Sequence, residues 1–365
     1  MYLTTLQLNN FRNFKEGRFN FKQGLNFIVA PNTYGKTNIL EAIYFLVIFQ
    51  SFRNNELRSL IRENLEITEW EVRFKKESDD KDQKLWAVLD FSNGKVVHKA
   101  FKLNGVKKQP YQIMGEFQAV LFTPQDLNLV CDQPSSRRHF IDTLISRINP
   151  LYYRNLLNYK RVVRARNRLL YLIQIGKAEM KELDFWNKQF LSLAEFLVRE
   201  RVLVLRKINQ QLKEIYPRIT DTKDLLRIDY QTSFTYQNDL KNSLTLKLNE
   251  VRNEEIDSAQ TVFGPHRDDL VFKLDDKKLA LYGSRGEQRS AILSLKITEL
   301  NLIKKKLGES PVLLLDDVLS ELDHKRQTAL LGVLDNLQVI ITTTETGHLK
   351  RFNHASQVNL IKLRK

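Results

Sequence analysis

Residues 25 to 46 constrain what this chain can fold into more than any other stretch. Leu25-Asn26-Phe27-Ile28-Val29 is a short apolar run that predicts a buried strand. Ala30-Pro31-Asn32-Thr33-Tyr34-Gly35-Lys36-Thr37 follows, and after it Ile39, Leu40, Ile43, Leu46 and Val47 recur at helical spacing. Strand, loop, then helix is the context in which a loop ending Gly-Lys-Thr reads as a phosphate cradle, here with alanine in the first glycine position. Unpaired N–H groups and the macrodipole at the helix start favour phosphate oxygens. In this reading Lys36 reaches the β- and γ-phosphates, and the Thr37 hydroxyl is a ligand of Mg²⁺. The plainer alternative is an ordinary strand-to-helix turn.

Other segments decide between the two. A hydrophobic content of 42% and a charged content of 28% are those of a globular chain, and 365 residues allow about two domains. No apolar run reaches the ~18 residues of a membrane span, so no membrane partner is expected. The first residues lack the build of a secretion signal, and the single cysteine, Cys131, excludes an internal disulfide; a cytoplasmic location is expected. The charge balance is more specific. Against 43 acidic residues stand 58 Lys and Arg, an excess of +15 that suits a protein meeting phosphate backbones.

Residues 2 to 29 alternate as a short β-meander. Further strands are predicted near Trp70–Phe74, Leu85–Phe91, Val96–Leu103 and Ala119–Phe122, with Asn93-Gly94 and Asn104-Gly105 as turns. From Ser135 the pattern becomes helical, punctuated by Pro150, Gly176 and Pro217. Between Thr143 and Ala178 there is no acidic residue, yet Arg147, Arg154, Lys160, Arg161, Arg164, Arg166, Arg168 and Lys177 all occur. Arg161, Arg164 and Arg168 share a helical face, with Tyr152, Tyr153, Tyr159 and Tyr171 interleaved, a pattern that suits backbone tracking of nucleic acid. A solvated face with core tyrosines is the alternative. Strands return at Leu225–Tyr230, Phe234–Tyr236, Leu270–Leu274 and Lys278–Tyr282, followed by a long helix from Glu287 to Lys306.

Val312-Leu313-Leu314-Leu315 then delivers Asp316 and Asp317 at the end of a hydrophobic strand. One carboxylate there can hold Mg²⁺, and its neighbour can orient and deprotonate a water. Upstream, Gly283-Ser284-Arg285-Gly286-Glu287-Gln288-Arg289 opens a helix as a second phosphate-binding surface. Downstream come Ser320-Glu321-Leu322-Asp323 and Thr342-Thr343-Thr344.

Taken with Asn10-Phe11-Arg12-Asn13-Phe14, Thr123-Pro124-Gln125-Asp126, Arg137-Arg138 and Gly264-Pro265-His266-Arg267-Asp268-Asp269, this order resembles the ABC-type ATPase heads of the SMC group. It is most similar to the RecF family of bacterial DNA replication and repair proteins. The resemblance implies an α/β fold. An ABC-type P-loop ATPase lobe, a mixed sheet flanked by helices, is formed by 1–134 and 262–365, with an inserted, mainly helical arm at 135–261. Arg12, Asn13, Ala30, Pro31, Asn32, Thr33, Tyr34, Gly35, Lys36, Thr37 and Asn38 would hold ATP. Thr37, Gln125 and Asp316 would hold Mg²⁺, with Asp317 as general base, Gln125 and Lys36 as catalytic partners, and Thr343 as a γ-phosphate sensor. Ser284 and Gly286 would meet the γ-phosphate bound by a second subunit, and Asp323 would lie at that interface.

The implied activity is weak, DNA-stimulated ATP hydrolysis by an ATP-dependent homodimer. It would act on single-stranded, gapped or linear duplex DNA and support recombinase loading and SOS induction with mediator proteins of the RecO/RecR type. The loop departs from the family at Ala30, Thr33 and Tyr34, where glycine, glycine and a small residue are usual. A DNA-binding protein with a hydrolysis-poor nucleotide site is therefore the rival reading. A transporter-type ATPase subunit is another, opposed by the missing switch histidine and by the basic arm.

Overall fold

The computed structural model describes residues 1–53, 56–79, 81–92, 95–235, 239–332, 337–344 and 358–363. The turn expected at Asn93-Gly94 lies outside them, as does Tyr236. The chain divides into two compact units, one formed by Met1–Asn128 with Arg289–Lys365 and one by Leu129–Gln288. The sequence pattern predicts boundaries at 134/135 and 261/262. Residues 262–288 fall with the arm because the strand Asp269–Leu274 pairs antiparallel with Leu226–Gln231 there.

The first unit is built on two sheets. Five parallel strands run in the order Val358–Lys362, Leu25–Val29, Val339–Thr343, Val312–Asp316 and Ala119–Phe122. The three central strands are nearly wholly buried, which is why their sequences are mostly apolar. The second sheet has six strands and is antiparallel. Its order is Phe14–Asn20, Tyr2–Phe11, Ile67–Lys75, Gln83–Ser92, Lys95–Leu103 and Val106–Lys108. Asn104 and Gly105, both at positive φ, make the predicted tight turn before the last strand.

The expected three-strand meander over residues 2 to 29 is corrected. Only the first two strands pair with each other, while Leu25–Val29 joins the parallel sheet. Its residues are buried on both faces, the polar Asn26 included, whereas Tyr2–Phe11 alternates.

The helix Lys36–Ile48 lies between the two sheets and is buried almost all round. Trp70 donates its indole N–H to the Ala42 carbonyl at 3.1 Å and packs edge-on against Phe45 and Phe11, with centroids 5.0 and 5.1 Å away. The helix ends at Phe49, whose left-handed backbone returns its N–H to the Phe45 carbonyl at 2.6 Å.

The second unit is carried by the helices Pro134–Ile148, Pro150–Gln174 and Leu183–Thr220 and a three-stranded sheet. Three expectations fail here. Lys278–Tyr282 is not a strand: two residues, Lys277–Lys278, pair with Asp269–Leu274, and Leu279–Tyr282 turns into a short helix. Pro217 does not end its helix. It sits in the final turn, and its carbonyl accepts the N–H of Asp221, a left-handed cap, at 2.7 Å. Phe234 lies in a bend rather than a strand.

A fully buried Arg201 organises this unit. It pairs with Asp142 through two nitrogens, each at 2.9 Å, and donates to Tyr230 Oη and the Pro265 carbonyl at 3.1 and 2.6 Å. Burial opposes its charge, but Asp142 beside it holds it firmly protonated. Among the described residues no helix is long and apolar enough to cross a membrane.

Candidate nucleotide site

Four parallel strands present their C-terminal ends at one edge of the sheet, the usual ligand position in α/β sheets. Val29 runs into the loop, Phe122 into Thr123-Pro124-Gln125, the strand Val312–Asp316 ends in the carboxylates, and Val339–Thr343 ends in threonines. Between them opens a polar pocket of about 630 Å³. Its walls include Arg12, Asn13, Asn32, Thr33, Gly35, Lys36, Thr37, Asn38, Gln125, Asp316 and Asp317, all residues that the sequence nominated.

The loop's shape follows from two left-handed residues. Thr33 has φ 73° and Gly35 has φ 95°. At Gly35 a Cβ would lie 2.7 Å from Asn13 Oδ1 and 2.8 Å from Phe14 Cζ, so glycine answers both a conformational and a spatial demand. Thr33 holds the same kind of conformation with a β-branched side chain, which is strained. Asn13 donates from Nδ2 to the Tyr34 carbonyl at 3.3 Å and accepts Asn38 Nδ2 at 2.8 Å, tying the hairpin 11–14 to the loop. Ala30 is buried, and Pro31 and Tyr34 contribute backbone rather than pocket wall.

Lys36 opens the helix and turns back onto its own loop, donating from Nζ to the Ala30 carbonyl at 2.7 Å and the Pro31 carbonyl at 3.2 Å. Burial lowers its pKa, with Asp317 and Asp316 pulling the other way. Thr37 donates its hydroxyl to Asp316 Oδ1 at 3.0 Å. Thr342 donates to the same oxygen at 2.7 Å and accepts the Asp317 N–H at 3.0 Å. Burial raises the Asp316 pKa against the pull of those hydroxyls. Asp317 itself adopts φ 51°, an uncommon backbone for a non-glycine residue.

A hard-oxygen pair made by Thr37 and Asp316 fits Mg²⁺, which takes one or two protein oxygens together with substrate phosphates. Among the described residues no cluster of three or more His, Cys, Asp or Glu could hold a metal alone. A cation here would complete its shell with water and phosphate oxygens. Gln125 is exposed at the pocket edge, and its loop is fastened from below. Thr123 donates backbone N–H and hydroxyl to Asp126 at 2.7 and 2.8 Å, and the buried Lys296 bridges Asp126 Oδ1 and the Leu121 carbonyl, each at 2.8 Å.

Phe52, Arg53, Ser59 and Ile61 of the pocket wall escaped sequence reasoning, as did the buried carboxylate behind Arg12. Arg12 forks onto Glu41 at 2.9 and 2.6 Å, and Ser51 donates to the same carboxylate at 2.5 Å. Arg53 donates to Asn38 Oδ1 at 2.7 Å, and Phe52, Ser59 and Ile61 complete the wall. One signal was available: Glu41 stands among apolar residues of a buried helix, and a buried carboxylate requires a partner.

The remaining candidates belong to the second unit or to other roles. Ser284 and Gly286 sit at the start of the helix Arg285–Leu307, where the exposed Ser284 and Glu287 form a reciprocal cap. Asp323 caps the helix His324–Leu331 by accepting the Arg326 N–H at 2.9 Å. Thr343 is buried, and Thr342 is the threonine that touches Asp316. Arg137 forks onto Asp269 at 2.8 Å through two nitrogens, so this motif pair serves the arm's architecture.

On the helix Pro150–Gln174, Arg161, Arg164 and Arg168 are exposed along one side, with Arg154 and Tyr171. Two cations of the basic run are corrected, because Arg147 and Arg166 are buried, the latter paired with Glu255 at 2.5 Å. Tyr152, Tyr153 and Tyr159 are core rather than stacking surface; Tyr159 shares a 2.6 Å hydrogen bond with His266 Nδ1.

A parallel sheet carrying a phosphate loop, an acidic strand end and an antiparallel side sheet defines an ABC-type P-loop ATPase head. The family model for the RecF/RecN/SMC N terminal domain matches residues 2–363. The chain is 34% identical over 351 residues to the DNA replication and repair protein RecF of Acetivibrio thermocellus, covering 94% of each. With RecF of Clostridium botulinum it shares 34% over 365 residues, 99% of this chain and 97% of the relative. It thus belongs to the RecF family of DNA replication and repair proteins. The solved structure of the recombination mediator protein RecF with ATP, of the RecFOR pathway, superposes with a TM-score of 0.88 at 30% identity, covering 95% of this chain and 92% of that one. An SMC head from Pyrococcus furiosus, at TM-score 0.54 and 17% identity, shares the fold.

Proposed function

We propose that this chain binds ATP with Mg²⁺, dimerises with it on single-stranded, gapped or linear duplex DNA, and hydrolyses it slowly to reset. The observation that carries this reading is the convergence of Lys36, Thr37, Asp316 and Asp317 in one polar pocket at the sheet's C-terminal edge. Lys36 exchanges its two loop carbonyls for phosphate oxygens. Thr37 and Asp316 would hold Mg²⁺, which would supply positive charge against the triphosphate. Asp317, beside that pair, takes the proton of the attacking water, and Gln125 orients it from the pocket edge. Ser284 and Gly286 face the nucleotide of a second copy. The RecFOR pathway named for the RecF–ATP relative supports mediators of the RecO/RecR type as partners, and recombinase loading and SOS induction are the roles proposed with them.

Titration with a fluorescent ATP analogue tests the pocket. Wild type binds, Lys36→Ala loses binding while keeping its thermal midpoint, and unchanged affinity in that variant overturns the assignment.

A second reading is favoured by one observation, the strained Thr33 in the loop. In it, ATP is held as a ligand with little turnover. Phosphate release with and without DNA separates the two: DNA-stimulated release that disappears in Asp317→Asn supports the enzyme.

A further inference from the structure

The antiparallel sheet of the first unit turns one face, with Leu6, Leu8, Trp70, Val72, Leu85 and Ala87, into the core. The opposite face carries different chemistry. Directly paired residues share a face, so the register sets Arg18, Gln7, Glu71, Trp86, Lys102 and Lys107 in one row, one residue from each of the six strands. Two residues along, Arg73 and Lys84 stand side by side in the next row. The single carboxylate of these rows, Glu71, is nearly buried and already paired with Arg73 at 3.1 Å and Lys84 at 2.5 Å. Lys102 places its ammonium 4.6 Å from the centre of the Trp86 ring. On the other side of the row stand Glu16 and Glu69, which give the cationic strip an acidic border.

We propose that this strip is a binding track for single-stranded DNA. It rests on the reading of the chain as a DNA-binding protein but uses a surface separate from the arm helix. Six strands at the usual spacing make the row about 24 Å wide, long enough for several nucleotides of an extended strand. Phosphates lie along Arg18, Lys102, Lys107, Arg73 and Lys84, and a base stacks on Trp86. A sheet face with an aromatic among cations is a general solution for holding unpaired bases, since every base has a π-face to offer. A duplex keeps its bases stacked inside and has no use for the ring.

The test uses the full chain and a short oligothymidylate, read by tryptophan fluorescence and by affinity across a salt series. In wild type the oligonucleotide quenches emission. Trp86→Ala removes that quench and weakens binding roughly 5- to 150-fold, the range for one stacked base. Arg18→Ala/Lys102→Ala/Lys107→Ala flattens the log–log salt slope by about 2, because each phosphate contact on a single strand accounts for about 0.7. Arg18, Lys102 and Lys107 are exposed, so the triple variant keeps a thermal midpoint near that of wild type, and Trp86→Phe, which keeps a ring on the half-buried site, retains most of the affinity that Trp86→Ala loses. Persistent quench with unchanged affinity in both variants overturns the track. Equal weakening of duplex binding by Trp86→Ala overturns the single-strand assignment. If Arg161→Ala/Arg164→Ala/Arg168→Ala abolishes binding while the sheet variants bind normally, the track fails and the DNA-binding reading stands. If wild type binds no DNA at all, both fail.

Discussion

Gly35 and Thr33 show how one backbone demand is met in two ways. Both hold positive φ, but only Gly35 is also hemmed in, by Asn13 and Phe14. Gly35→Ala therefore costs more than the ~1–2 kcal/mol of a left-handed alanine, and loses nucleotide affinity with it. Thr33 is exposed, so Thr33→Gly relieves local strain without opening a cavity. That variant binds the ATP analogue more tightly, and a fluorescence titration checks both substitutions. Lys99 offers a pH test. Burial lowers its pKa to about 8, where its ammonium lies 5.2 Å from the Phe45 ring centre and donates to the Phe49 carbonyl at 3.0 Å. Between that value and the ~10.4 of an unfolded chain, the unfolded state holds the extra proton, so unfolding free energy rises with pH in this window. Denaturant titrations at pH 8 and pH 10 show this rise in wild type, and it is smaller in Lys99→Met.

At the scale of elements, the helix Pro150–Gln174 carries two populations of arginine that sequence alone does not separate. Arg166 is buried with Glu255, bonded also to Asn187 and Thr261 at 2.9 Å. Removing it leaves a buried carboxylate unpaired, so Arg166→Ala destabilises by about 3–5 kcal/mol. Arg161, Arg164 and Arg168 face water, and their alanine variants stay within about 0.5 kcal/mol of wild type. If each contacts a phosphate of duplex DNA, the triple variant lowers the salt slope of binding by up to about 3. Chemical denaturation and salt-dependent binding read the two effects independently. An Arg166 variant as stable as wild type would contradict the buried pair.

At the scale of the whole molecule, the proposal that each chain holds half of a shared site gives opposite outcomes for two variants. Asp317→Asn accumulates an ATP-bound dimer, because the water loses its base while Asp316 keeps its place beside Thr37. Ser284→Arg binds ATP as a monomer, since its bulk and charge enter only a partner's site. Light scattering with ATP distinguishes them, and a dimer that forms equally well without nucleotide would remove the shared site.

The local sequence by itself determined the elements whose chemistry is continuous along the chain. The apolar run Leu25–Val29, the Gly-Lys-Thr ending and the strand before Asp316 identified two buried strands and the pocket floor, because a buried strand and a helix start each have a short-range signature. Only tertiary structure decided what depends on distant partners. Arg161 and Arg166 are five residues apart and equally basic, yet Glu255, from far along the chain, selects one for burial. Leu25–Val29 left the expected meander because its neighbours are Val339–Thr343 and Val358–Lys362, more than three hundred residues away. Glu41 came to hold the pocket residue Arg12 from behind because Arg12 and Ser51 reach it from separate turns. A cationic row across six strands exists only in the register, since its members are scattered from Arg18 to Lys107 and no window of sequence contains them. Burial and pairing are properties of the surroundings, and those are assembled only when the chain closes on itself.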